Sequence, residues 1–126
     1  MRSLALPLLA AALLAACGSE APATNAPATT NLVVTVDQDG SKGSQPAKTV
    51  HLRCPGAGCG LTKRLTVKDF APLRRNQMCS MIYGGPETAT VHGTLRGSHV
   101  QASFSRTDGC QTSRWQGVAR LLSAAK

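Results

Sequence analysis

Five cysteines, Cys17, Cys54, Cys59, Cys79 and Cys110, constrain this chain more than any other feature. An odd set cannot pair completely within one molecule, so one cysteine needs another fate. Cys17 is set apart by what precedes it: Arg2 gives a positive start, and Leu4 to Leu14 form an apolar run. That run is shorter than the ~20 residues of a membrane span and suits the core of an export signal. An exported chain leaves the reducing cytosol, where thiols stay free, so its remaining four cysteines are expected to oxidise. Four cysteines allow three pairings. Cys54-Pro-Gly-Ala-Gly-Cys59 closes a small ring around a turn, which leaves Cys79 with Cys110. The rival is a four-thiolate zinc site, but tight C-x-x-C knuckles are missing. The expectation is therefore two disulfides, with no metal and no cofactor.

The stretch Leu14-Ala15-Ala16-Cys17 resembles a bacterial lipobox, in which cleavage leaves a cysteine that carries diacylglycerol. Residues 1–16 read as signal peptide, and residues 17–30 as the lipidated Cys17 followed by a Ser/Ala/Pro/Thr tether too poor in large apolar side chains to fold. Two or three acyl chains suffice for stable anchoring. The expected location is the outer face of the bacterial cell membrane, with release to the medium as the alternative. Residues 31–126 then form one domain whose small core profits from disulfides.

Alternation of apolar and polar residues supplies the strands. Asn31–Val36 is branched and loosely alternating, and Lys48–Cys54 sets Val50, Leu52 and Cys54 against Thr49, His51 and Arg53. Further on, Ala89, Val91, Gly93 and Leu95 oppose Thr88, Thr90, His92 and Thr94. Arg96-Gly97-Ser98 then turns the chain, and Val100, Ala102 and Phe104 return inward, as in a β-hairpin. Thr66 is placed to cap a short helix ending near Pro72. After Cys110, the spacing of Trp115, Val118, Ala119 and Leu122 predicts one amphipathic helix. The fold class is α+β, an antiparallel sheet with helices on one face.

The formal charge is +8, or +7 once residues 1–16 with Arg2 are removed. The basic residues are scattered and four aromatics accompany them, so no stacking surface for nucleic acid is evident. Attraction to an anionic envelope surface remains. Enzymatic chemistry finds no footing. His51, His92 and His99 fall on outward strand positions, there is no G-x-S-x-G or H-E-x-x-H, and no base neighbours Ser80 in sequence. Asp37, Asp39 and Asp108 fall in turns, where carboxylates bond local backbone.

One stretch resists a bland reading. In Cys79-Ser-Met-Ile-Tyr-Gly-Gly-Pro86 three large apolar residues run into turn chemistry. They either start a buried strand that Gly84-Gly85-Pro86 interrupts or occupy a surface loop. This stretch precedes TATVHGTLRG, FSRTDGC and the tryptophan-bearing end. Together they resemble the subtilisin inhibitor-like family of secreted serine protease inhibitors, from about Leu32 onward and most strongly from Met78 to Trp115. The resemblance implies an α+β domain with two disulfides that forms homodimers through its sheet. It implies a serine endopeptidase of subtilisin or chymotrypsin type as partner, and no enzymatic activity. Met81 would fill the primary specificity pocket and Met81–Ile82 would be the reactive bond. Met78, Cys79 and Ser80 would contact the protease on one side, Tyr83 and Gly84 on the other. Family members often carry proline where this chain has Ser80, and Gly84-Gly85 predicts a longer, looser loop exit. A surface-lipoprotein binding module without inhibitory action, built on the same fold, is the alternative.

The odd cysteine yields a direct test. Expressed in a bacterium, the chain is expected in the membrane fraction, and Cys17→Ser should release it or leave its leader uncleaved. Unchanged maturation and partitioning of that variant would refute lipidation.

Overall fold

The computed structural model describes residues 28–126. The expected signal peptide, Cys17 and most of the tether lie outside them. The chain is α+β, a four-stranded antiparallel sheet with short helices and two disulfides. Its strands are β1 (Thr30–Asp37), β2 (Lys48–Cys54), β3 (Gly85–Leu95) and β4 (Ser98–Arg106), in the order β2-β1-β3-β4. Three short helices follow the same numbering: α1 (Cys59–Thr62), α2 (Gly109–Gly117) and α3 (Ala119–Leu122). Single 3-10 turns occur at Gly40–Lys42, Val67–Phe70 and Ser123–Ala125. Among the described residues no helix is long and apolar enough to cross a membrane.

Period-two patterning decides which face is covered. Register places Val34 between Val50 and Val91, and Val91 beside Ala102. The inward side chains Leu32, Val34, Val36, Leu52, Val91, Leu95, Val100 and Phe104 are all buried. Trp115, Val118, Leu121 and Leu122 come down on them from the C-terminal segment, and Leu65 and Phe70 from the long β2–β3 connection. Phe70 meets Phe104 edge to face, with ring centroids 6.3 Å apart. The other sheet face carries His51, His92 and His99, all exposed, and a Thr35–Thr49 hydroxyl pair at 2.8 Å.

The hairpin, the first two strands and the Thr66 cap lie where sequence patterning puts them, the cap being a reciprocal capping box with Asp69. β1 starts one residue early, since Thr30 pairs with Cys54 in the ladder, and the Thr30 hydroxyl, 3% exposed, accepts a bond from Arg96 N (3.0 Å). Both central hairpin residues, Arg96 (φ 47°) and Gly97 (φ 82°), are left-handed, as a tight type I′ connection requires. An arginine there is strained. The Arg96 guanidinium offsets this by donating to Thr62 O (3.2 Å) and to Leu65 O, tying the hairpin to the connection above it.

The predicted single C-terminal helix is a correction. It breaks at Val118 (φ −114°, ψ 11°), whose amide bonds Trp115 O at 3.2 Å in a tightened turn. Gly117 has weak helix propensity and sits at that break. The break advances the phase, so Leu121 is fully buried while Ala119 is half-exposed.

Leu121→Ala is expected to cost about 2–5 kcal/mol through lost burial and cavity formation, while Val67→Ala stays within about 0.5 kcal/mol. Denaturant unfolding of the two variants checks the assignment of the core.

Candidate functional site

Large apolar side chains exposed among the described residues are Val67, Met78, Met81, Ile82 and Tyr83. Four of the five thus fall within six consecutive residues. Met81 is 90% exposed and Ile82 72%, and the segment from Met78 to Gly84 has no regular secondary structure. The buried-strand reading of Met81-Ile82-Tyr83 is therefore wrong. These side chains stand in water at a cost that the domain's own packing does not recover.

The segment is held on both sides. Upstream, Cys79 is bonded to Cys110 in the first turn of α2, with their Cα atoms 5.3 Å apart. Asp108 starts that helix, its carboxylate accepting from Gln111 N at 2.9 Å. The next amide, Gly109 N, points at the loop and donates to Ser80 O at 2.9 Å. A hydrogen bond thus restrains the residue where a proline ring was expected to be missed. A cleft of about 540 Å³ opens beside this stretch, between Lys68, Leu73, Gln77 and Arg114. Packing therefore gives little support there, and the disulfide with the Ser80–Gly109 bond supplies the restraint.

Downstream, Gly84 N donates to Arg106 O at 2.7 Å, and Gly85 pairs with Arg106 as β3 begins. The Arg106 guanidinium meets Glu87 at 2.7 Å, a partly buried ion pair closing the same corner. The two glycines have separate reasons. A Cβ on Gly84 would lie 2.6 Å from Thr112 Oγ1 and 3.2 Å from Arg106 O, so only hydrogen fits. Gly85 has φ +149°, which L side chains rarely adopt. The predicted looser exit is thus a correction: Gly84-Gly85 permits close approach and a hydrogen bond, and holds the loop against β4.

Behind the loop, Arg114 fastens α2 to the sheet. Its guanidinium lies 4.8 Å from the centre of the Phe104 ring and donates to Ser103 O (3.1 Å) and Gln111 Oε1 (3.0 Å). Burial lowers its pKa from the ordinary arginine value, yet a guanidinium remains charged at any physiological pH.

The four cysteines pair as expected, Cys54–Cys59 and Cys79–Cys110, which removes the thiolates a zinc site needs. Asp108 lies with Cys79 and Cys110 within 4.8 Å, but two sulfurs bonded to each other are not a metal-ligand set. The aspartates bond local backbone: Asp37 accepts from Asp39 N, Asp39 from Gln45 N, Asp69 from Thr66 N, and Asp108 caps α2.

Sequence reading brought together Met78 to Gly84 and the disulfide but missed Arg106, Glu87, Gly109 and Thr112. Gly109 carried a faint signal, a glycine directly before a cysteine. Glu87 and Arg106 carried none, because their meeting depends on a register irregularity between Gly85 and Ala89. The chain matches no protein-family model, and no curated protein matches it.

Gly84→Ala is expected to cost roughly 1–3 kcal/mol by overpacking. Thr112→Ala should restore part of that loss in the double variant, because Thr112 Oγ1 is buried without a partner and is the nearest atom to the added methyl. Strictly additive unfolding energies would show that the two positions do not touch.

Proposed function

We propose that this domain is a serine protease inhibitor, resembling the subtilisin inhibitor-like family and held at the bacterial membrane through Cys17. It acts by presenting Met78 to Gly84 as a substrate to a subtilisin-like or chymotrypsin-like enzyme. The observation that carries this reading is the pairing of exposure with restraint. Met81 and Ile82 are 90% and 72% exposed, while Ser80 O and Gly84 N on either side are bonded to Gly109 and Arg106.

A protease binds its substrate as an added strand, with side chains in pockets. Ordering a flexible peptide for that purpose costs roughly 0.5–1.5 kcal/mol per side chain, besides backbone terms, and a loop already held avoids much of it. Cleavage of Met81–Ile82 would leave the new termini tethered through Cys79–Cys110 and Gly84. They would stay close enough for religation to compete with hydrolysis. Strong binding and slow net turnover are the two properties an inhibitor of this kind needs. Methionine is long, unbranched and polarizable, so Met81 suits a wide apolar pocket.

The wild type is expected to inhibit subtilisin best, chymotrypsin less and trypsin poorly. Met81→Lys should gain trypsin inhibition, since the ammonium pairs with the carboxylate at the base of that pocket. Met81→Gly should weaken subtilisin binding by roughly 2–3 kcal/mol, about 30- to 150-fold, through lost apolar burial. Neither change should shift the melting temperature by much, because Met81 is almost fully exposed. Inhibition titrations against the three enzymes decide the matter. No inhibition by a folded wild type would overturn the proposal, and inhibition indifferent to Met81 would remove Met81 from its role.

A further inference from the structure

The charges of this domain are not evenly spread. β1 is eight residues long, so its ends lie about 24 Å apart at the usual strand rise. At the Thr30 end, Arg53 pairs in register with Asn31, and Arg96 sits on the hairpin turn beside Thr30. Arg96 reaches over to Thr62 O and Leu65 O, which brings the exposed Lys63 and Arg64 to the same end. Arg64 and Arg120 line one small groove across α1 and α3. Five cations therefore gather there.

Carboxylates among the described residues lie elsewhere. Asp37, Asp39, Glu87 and Asp108 stand at the opposite end of the strands, near the loop. Asp69 turns back on Thr66 in its capping box and lines the cleft beside Cys79. The one ion pair found among the described residues, Arg106–Glu87, belongs to the loop end. Screening acts over about 8 Å at physiological salt, so the two ends are electrically independent and local charge outweighs the total.

The chain also joins the domain at the cationic end. Ala28 lies against the Arg96-Gly97 turn, and Thr29 O accepts from Gly97 N at 3.0 Å. Residues between Cys17 and Ala28 are numerous enough to span roughly 35 Å, so a lipid on Cys17 would not by itself orient the domain.

We propose that the end formed by Arg53, Lys63, Arg64, Arg96 and Arg120 docks on an anionic lipid bilayer and directs Met81 away from it. The setting rests on the membrane anchoring proposed above, but docking and anchoring are separable because the charges act without the lipid. Each cation near a bilayer surface rich in anionic lipid contributes enough for a several-fold change in affinity.

Co-sedimentation with vesicles tests this, using the chain without its leader and carrying Cys17→Ser. Vesicles of phosphatidylcholine with one third phosphatidylglycerol should bind it, pure phosphatidylcholine should not, and added salt should release it. Combined Lys63→Gln, Arg64→Gln and Arg120→Gln should weaken binding roughly 100-fold. Lys48→Gln, Arg74→Gln and Arg75→Gln remove equal charge toward the loop end and should cost less than about threefold. Vesicle-bound protein should expose Met81–Ile82 to protease as fully as free protein. Equal losses in the two triple variants, binding to neutral vesicles, or preference for a DNA duplex at equal phosphate would each overturn the proposal. Melting curves establish that both variants fold. Co-sedimentation is read without protease, so failed docking leaves the inhibitor reading intact and failed inhibition leaves docking intact, while protection of Met81–Ile82 in the bound state would overturn the orientation.

Discussion

The Cys79–Cys110 bond is the constraint on which the geometry of the loop end depends. It joins two positions 31 residues apart and encloses the whole β3–β4 hairpin between them. A crosslink over that span removes roughly 3–4 kcal/mol of chain entropy from the unfolded state. Its second consequence is local. Cys110 sits in the first turn of a helix that Asp108 caps and Arg114 fastens to the sheet, so Cys79 inherits the position of a rigid element. Two residues further on, Met81 projects into water from a backbone that is anchored behind it.

Anchoring on the other side uses different physics. No covalent crosslink holds Gly84. Absence of a Cβ lets the backbone approach Thr112 and Arg106 closely enough for the 2.7 Å bond to Arg106 O. Glycine usually raises chain entropy, and here the hydrogen bond at Gly84 and the strand pairing of Gly85 with Arg106 oppose that tendency. On the proposed reading the protein uses one restraint that survives cleavage of Met81–Ile82 and one that only the folded backbone provides. The exposed apolar surface costs solvation free energy in the free protein, which a protease pocket would recover.

The sheet gives these local devices a common frame. One face is covered by the C-terminal segment and the β2–β3 connection, and the strands carry the loop at one end and the joining point of residues 1–27 at the other. Antiparallel pairing makes that separation unavoidable: β1 runs away from Ala28, and β3 begins beyond its far end. Arg96 shows how the two layers are coupled, since a single side chain on the hairpin satisfies carbonyls on both sides of Lys63 and Arg64. Charge then differs between the ends because the acidic side chains serve as caps and turn residues near the loop.

Much of this was legible in the order of residues. Alternation of apolar and polar side chains has the same period as the strand, so Val50, Leu52, Val91 and Phe104 declare their face without a partner in view. Parity and spacing of the cysteines pointed to the ring at Cys54–Cys59 and to the longer link, because ring closure over four residues is a local matter. The run from Met78 to Gly84 announced an exposed loop through Gly-Gly-Pro chemistry. What tertiary structure decided were the contacts between residues distant in sequence. The break at Val118 follows the packing of Leu121 and Leu122 as well as the weak propensity of Gly117. The pairing of Glu87 with Arg106, the fit of Gly84 against Thr112, and the gathering of Arg53, Arg96 and Arg120 at one end depend on register and on how layers stack. Neither leaves a periodic trace in the chain. Local patterns encode which way a side chain points, whereas only the folded backbone determines which distant group it meets.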